Sequence, residues 1–518
     1  MSQSSRLRSF FNSNTEVVSG VIFLGALILY TSTLIQVHTY DAISYAYSAG
    51  TGFQDLERLL YPHHLGYQLA TYYYYSIWSW LGWEGGSLLP LQLITVLTSA
   101  LTLVLFNRIL RNFTNLSIAL LFTALLAVAN GFWLFSVEIE VYLPSLLLVL
   151  LTFYFLTKWS LQQGIHCFAI GCLWGSAILF HQMNVLFGAV ILAAILTQRR
   201  AGRSILISLL KVTAGAFPIV VIPYLLAIRA LQLVSLRSVL YWLTWLTHIG
   251  LWGSPTPDLL LRTAQGTGHA FIGTANQGFP TLLFVQFLAT IILILFAAWK
   301  AFKSFPGIAI QCLVWILVYG GFIIWWEAEN PEFWVGLLPP FFMLLAMTVQ
   351  NSKLPIWAVQ GGLIALIFAV GINNWKSTIS PLQEAETNPD FQRLMKLVAD
   401  CMPRGSFVIA NSSRFWPWLV YYRDMNVVSI DRVLLTAERD FPEQTTEFGM
   451  REVINRIERA FSEGHNVYWL VNAYQSTPIL ARNRLDQDRI LEHFSAYDLR
   501  PLACSFPLFQ LEKRKVVE

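Results

Sequence analysis

Eleven apolar stretches dictate what this chain can fold into. A helix of about 20 apolar residues spans the hydrocarbon core of a bilayer. Val17–Val37, Leu88–Phe106, Leu116–Phe135, Tyr142–Thr157, Cys167–Phe180, Val185–Thr197, Ile205–Ile228, Thr281–Trp299, Pro306–Trp326, Trp334–Val349 and Pro355–Ile372 read as such spans, the pair around His181 being unusually short. No small-residue cleavage site follows the first, so it reads as an anchor and not as a removed signal peptide. Only 12% of the 518 residues are charged and 55% are hydrophobic, whereas an average soluble protein has about 25% charged residues. That excludes an ordinary soluble enzyme, a disordered chain and a nucleic-acid module. The expected fold class is a polytopic α-helical membrane protein with about eleven transmembrane helices in residues 1–379, followed by a soluble α/β domain in residues 380–518.

The tail reads as helices Phe391–Asp400, Met450–Ser462 and Ser476–Phe494 with strands Ser406–Ala410, Val427–Ile430, Val467–Val471 and one near Leu508–Leu511. It has no Gly-rich phosphate loop, and no chemistry is assigned to it. The five cysteines form neither a disulfide scaffold nor a metal-ligand pattern. Cys401 and Cys504 could pair in an oxidising compartment, but two buried free thiols are the expectation. A net charge of +4 is too small to suggest a polyanionic partner, so no nucleic acid is expected.

Lys and Arg resist translocation, which orients the spans. A cytoplasmic N-terminus keeps Arg6, Arg8, Arg108, Arg111, Lys158, Arg199, Arg200, Arg203, Lys300, Lys303 and Lys353 inside and carries the tail outside. The acids then segregate: apart from Glu16, every acid of the first 380 residues falls on the outer side. Acids contribute little to orientation, so a reaction centre or ion site at the outer face would account for them.

The first outer loop, roughly His38 to Ser87, is too apolar for a free loop and too interrupted for a span. Short helices lying in the membrane interface fit it. Asp41 stands just beyond the first span, where partial desolvation would suit a base or metal ligand. The same loop holds the acidic pair Asp55 and Glu57, and His63 and His64, which can donate hydrogen bonds to a phosphate oxygen or a hydroxyl. Glu138 and Glu140 point the same way if their segment is extended, and could bind a divalent cation or a sugar hydroxyl. His181 lies between two short spans whose hairpin would line a cavity. Glu329 and Glu332 lie between aromatic anchors. Arg229, Arg237 and Arg262, in one long outer loop, are natural clamps for a lipid-linked phosphate, though sequence does not choose among them.

Asp41, the Tyr61-Pro62-His63-His64-Leu65-Gly66-Tyr67 segment, Glu140-Val141-Tyr142 and His181-Gln182 together resemble the GT-C superfamily of integral-membrane glycosyltransferases. The last three look most like the branch of protein O-mannosyltransferases and bacterial aminoarabinose transferases of lipid A, with their DUF2723-type relatives. The resemblance covers roughly residues 15–350. It implies Asp41 as catalytic base, Glu138 and Glu140 on the acceptor or metal side, and His63 or His64 facing the donor phosphate; His181 and Arg262 are further candidates there. Family members often carry two adjacent acids at the first motif, whereas Ala42 follows Asp41 here. A divalent cation (Mg or Mn) on Asp41, Glu138 and Glu140 therefore stays open.

The expected reaction moves a sugar from a polyprenyl-phosphate donor to a hydroxyl of a glycan, lipid or protein acceptor, with inversion, among membrane lipids at the extracytoplasmic face. A bacterial plasma (inner) membrane is the expected site, the endoplasmic reticulum the alternative. The rival readings are a secondary transporter, which would place ionisable groups near the midplane of two related halves, and a lipid-linked-sugar binding or flipping protein.

Overall fold

A computed structural model of the chain describes residues 15–159, 163–197, 202–249, 253, 257–273, 280–384, 401–413, 416–471, 477–504 and 508–514. The chain is mostly helical and divides into two compact units. One contains residues 1–36, 52–227 and 255–384; the other contains 37–51, 228–254 and 385–518.

In the first unit each of the eleven apolar segments is helical. Leu88–Leu110, Ile205–Ala230, Pro306–Glu327, Pro331–Gln350 and Ile356–Gln383 are each long and apolar enough to cross a bilayer. Leu116–Val128 and Asn130–Val137 form a pair bent by 64° that qualifies as one broken span. Thr15–Thr31, Tyr142–Lys158, Gly164–Phe180 and Gln182–Thr197 are apolar but shorter. The chain is an integral membrane protein on these helices. The first helix stops at Thr31, six residues before the expected end. There Thr31, Ser32 and Thr33 turn their hydroxyls back onto the carbonyls of Leu27 and Leu29, which lets the chain leave the helix.

Two devices hold this unit together besides its apolar core around Phe132, Phe153, Phe187, Trp315 and Phe342. The first is close helix approach. A Cβ on Gly171 would collide with the Val212 carbonyl oxygen, and one on Gly215 with that of Phe168. Only glycine lets these backbones meet, as small residues do between membrane helices. The second is an asparagine hub at the helix break. Ala129 is extended (ψ 135°), which frees carbonyls that a continuous helix would occupy. Asn374 Nδ2 donates to Val128 O (2.8 Å) and Phe271 O (3.1 Å), and its Oδ1 accepts from Gly273 N–H (2.8 Å). Asn130 Nδ2 donates to His269 O (2.8 Å). Irregular backbone within an apolar bundle persists where such partners satisfy it.

The second unit carries a five-stranded sheet in the order β2-β1-β3-β5-β4. Its strands are β1 (Phe407–Ala410), β2 (Asn426–Ser429), β3 (Val467–Leu470), β4 (Tyr497–Pro501) and β5 (Leu508–Lys513). β1 is parallel to β2 and β3, while β5 is antiparallel to β3 and β4. Alternation sends Phe407, Ile409 and Trp469 to one face, with Leu434, Val453 and Ile457 of the helices Ile430–Asp440 and Thr445–Ser462. It sends Val408, Tyr468 and Leu470 to the other, with Leu419 of the helix Trp416–Arg423.

Four expected strands are found, and β4 is additional. It pairs on one side only and, apart from the buried Tyr497, is largely exposed or half-exposed. The expected helix Ser476–Phe494 is two short helices, Pro478–Arg482 and Gln487–His493. Arg484 takes a positive φ of 54°, and Asp486 caps the second helix by accepting from Arg489 N–H. The helix expected at Phe391–Asp400 lies outside the described residues. Cys401 and Cys504 are not free thiols. They form a disulfide (Cα–Cα 6.1 Å), because both side chains reach the same apolar cluster on the Val408 face of the sheet.

Candidate active site

The first unit brings most of the sequence-derived candidates into a polar seam that is buried at His181, Glu138 and Glu140 and half-buried at His63, His64 and Glu332. Pro62–His64 is a short 3₁₀ turn, opened by Pro62, that leads into the helix Leu65–Trp80. It is anchored by Gln182 Nε2, which donates to Pro62 O (3.0 Å) and to Tyr224 Oη (3.0 Å), while Tyr224 Oη donates to Pro62 O (2.5 Å). His181 ends the helix Gly164–Phe180 in extended conformation. Its Nδ1 accepts from Met183 N–H (3.1 Å), which leaves the proton on Nε2. The rings of His64 and His181 are 4.7 Å apart, and the Tyr142 ring lies 5.2 Å from His181.

From Tyr142 the seam continues through polar side chains. Its hydroxyl donates to Glu332 Oε1 (3.0 Å), which also receives Asn330 Nδ2 (2.7 Å). Asn330 reaches Glu327 Oε2 as well (3.3 Å). Arg262, on the helix Leu259–Phe271, pairs with Glu329. The bond to that carboxylate holds the guanidinium above its ordinary range.

Glu138 and Glu140 are fully buried, and Glu138 is extended. The approach of their segment is fixed by Gln92, whose Nε2 donates to Ile35 O (2.9 Å) and Val137 O (3.0 Å). Tyr67 feels both acids. Burial first, and then Glu140 and Glu138, push its phenol well up, so it stays a hydroxyl donor beside two carboxylates. Burial also pushes His63 down to about 4 and His64 well below the usual imidazole range, with His181 and His63 adding to the effect at His64. At neutral pH these imidazoles are therefore neutral N–H donors and not cations.

Sequence left a divalent cation on Asp41, Glu138 and Glu140 open, and no metal-binding group is found among the described residues. No three His, Cys, Asp or Glu side chains among them are placed to share a metal ion, and Glu138 turns Oε1 onto Ile139 N–H (2.8 Å). Asp55 caps the helix Leu56–Leu59 through Arg58 N–H and pairs with the Arg58 side chain (2.9 Å), and Glu57 is exposed in the first turn of that helix. Both belong to a local turn structure.

Asp41 belongs to the second unit, in the first turn of the helix Tyr40–Thr51. Thr39 caps this helix, its Oγ1 accepting from Ala42 N–H (3.1 Å). A carboxylate in a first turn is favoured by the helix dipole. The residue is exposed.

The sequence reading missed Tyr67, Asn330 and Tyr224 as members of the seam. Tyr67 closes the very segment that carries the two histidines, which was a usable signal. Nothing in the spacing links Tyr224 to residue 62.

The fold of the chain is similar to that of two sets of solved structures. ArnT from Cupriavidus metallidurans, bound to undecaprenyl phosphate and in the apo state, matches with a TM-score of 0.58 at 12% identity, over 97% of this chain and 98% of that one. The oligosaccharyltransferase of Archaeoglobus fulgidus in its apo form matches with a TM-score of 0.50 at 14% identity, over 98% of this chain and 75% of that one. No protein-family profile matches the chain, and a search of curated proteins finds no match.

Proposed function

We propose that this protein is a membrane glycosyltransferase that moves a sugar from a polyprenyl-phosphate donor to an acceptor hydroxyl at the extracytoplasmic face, with inversion. The observation that carries this reading is the end-to-end fold match to a structure holding undecaprenyl phosphate. It is supported by the seam of buried and half-buried neutral donors and carboxylates in the first unit.

Asp41 takes the proton of the acceptor hydroxyl as its oxygen attacks the anomeric carbon. The bond from that carbon to the phosphate oxygen breaks, and its electron pair leaves with the polyprenyl phosphate. His63, His64 and His181 offer N–H groups to the departing phosphate, and Arg262 supplies positive charge once it leaves Glu329. Glu138, Glu140 and Tyr67 hold sugar or acceptor hydroxyls. The Cys401–Cys504 disulfide supports an oxidising, extracytoplasmic location for the sheet-bearing unit.

The test uses purified protein and a panel of undecaprenyl-phosphate-linked hexoses and pentoses, with release of undecaprenyl phosphate as the readout. Wild-type release that Asp41→Asn abolishes is expected, and it should persist in a chelator. Equal release by the variant refutes the base, and no release from any donor refutes the reaction class.

A further inference from the structure

The helix that carries Asp41 clusters with the second unit, which holds the tail to which the sequence assigned no chemistry. We propose that this sheet-bearing unit is the positioning device for Asp41, acting through Arg432, Trp416 and Trp418 on the Tyr40–Thr51 helix. The inference rests on Asp41 being the base.

Three contacts fix that helix. Arg432 Nη2 donates to Tyr40 Oη (3.3 Å), the Trp418 ring meets the Tyr40 ring edge-on at 5.8 Å, and the Trp416 ring meets Tyr47 edge-on at 4.8 Å. Tyr40 and Tyr47 are seven residues apart and share one helix face, so a grip on both sets axial rotation as well as register. Tyr40 directly precedes Asp41 in the first turn, which places the grip beside the carboxylate. Ala42, Ala46 and Ala49 are buried and form a second stripe at helical spacing, which lets neighbouring backbone come close. Asp41 is left on the exposed side.

Arg432 is itself held from behind. It is an early residue of the helix Ile430–Asp440, directly after β2. Its backbone N–H donates to Asp431 Oδ1 (2.7 Å), and Asp431 Oδ2 receives both the N–H (2.9 Å) and the hydroxyl (3.2 Å) of Ser413. Asp431 is only 6% exposed, so this turn joins the ends of β1 and β2 rigidly to the base of the arginine. A base must be held close to its reacting geometry, and displacement by about 1 Å can lower a rate on the order of 100-fold.

Tyr40→Phe removes only the hydroxyl that Arg432 binds and keeps the ring against Trp418, while Arg432→Gln removes the cation and Arg432→Lys keeps one. Amide hydrogen exchange over residues 40–51 should speed up in Tyr40→Phe and in Arg432→Gln, and no further in the double variant. Wild-type exchange in both single variants overturns the proposal. With an undecaprenyl-phosphate-linked sugar as substrate, both variants should lose turnover about tenfold or more at unchanged KM, with partial recovery in Arg432→Lys. A raised KM at unchanged turnover overturns it as well. Full activity in Tyr40→Phe and Arg432→Gln beside an inactive Asp41→Asn refutes the positioning alone. An Asp41→Asn variant as active as wild type refutes the base on which the inference rests.

Discussion

Acidification should loosen the Pro62–His64 turn before it affects most of the molecule. His63 binds its proton at about 4 in the folded protein, chiefly because burial penalises the charged ring, although the bond to Gln182 works the other way. In the unfolded chain the same ring titrates near 6.5. Its contribution is therefore fully present above about pH 6.5 and is lost as the pH falls toward 4, because the unfolded state then binds more protons. Integrating between those two titration points, a drop from about pH 7 to about pH 5 costs the native state about 2 kcal/mol for this one side chain. His63→Gln removes the titration. Unfolding free energies in mixed micelles, followed by tryptophan fluorescence, should fall by about 2 kcal/mol more for wild type than for the variant over that pH interval. The difference reports His63 together with its electrostatic coupling to His64 and His181. An equal loss in the two would refute the desolvated, neutral state assigned to the ring, and with it the role of His63 as an N–H donor at neutral pH.

Asn374→Ala strips partners from Val128 O, Phe271 O and Gly273 N–H at once. At about 1–3 kcal/mol for a buried polar group left unsatisfied, stability should drop by at least 2 kcal/mol, measured by the same micelle titration. Cys401→Ser should lower stability by about 2–4 kcal/mol and should remove any effect of dithiothreitol on the melting temperature. Gly171→Val should fail to yield monodisperse protein, because its Cβ has no space beside the Val212 carbonyl, whereas Gly20→Ala, with nothing within 4 Å, should behave as wild type.

The apolar segments were legible because burial in lipid demands long uninterrupted runs, and each of the eleven is helical. Boundaries were less so. Thr31, Ser32 and Thr33 end the first helix by bonding backward, while the apolar Leu34, Ile35 and Val37 beyond them look like its continuation. In the seam, the histidines and acids stood out because charged or titratable groups are rare in such a composition. Their partners did not: Gln182 to Tyr224 spans 42 residues, Tyr142 to Glu332 spans 190, and no local pattern encodes either. The disulfide was misjudged for the same reason. Its cysteines are 103 residues apart and meet only once the sheet has brought the segments beside β1 and β4 to one face.

The asparagine hub also sets an order of assembly. Val128 and Asn374 are 246 residues apart, yet the carbonyl at the helix break is satisfied by that side chain. While the chain is being made, the break at Ala129 enters the membrane long before its partner is synthesised. Until the helix Ile356–Asn374 arrives, the early bundle carries exposed backbone carbonyls in an apolar medium and must borrow water or a chaperone to shield them. The helix Ile356–Asn374 therefore acts as the latch that ends this exposure.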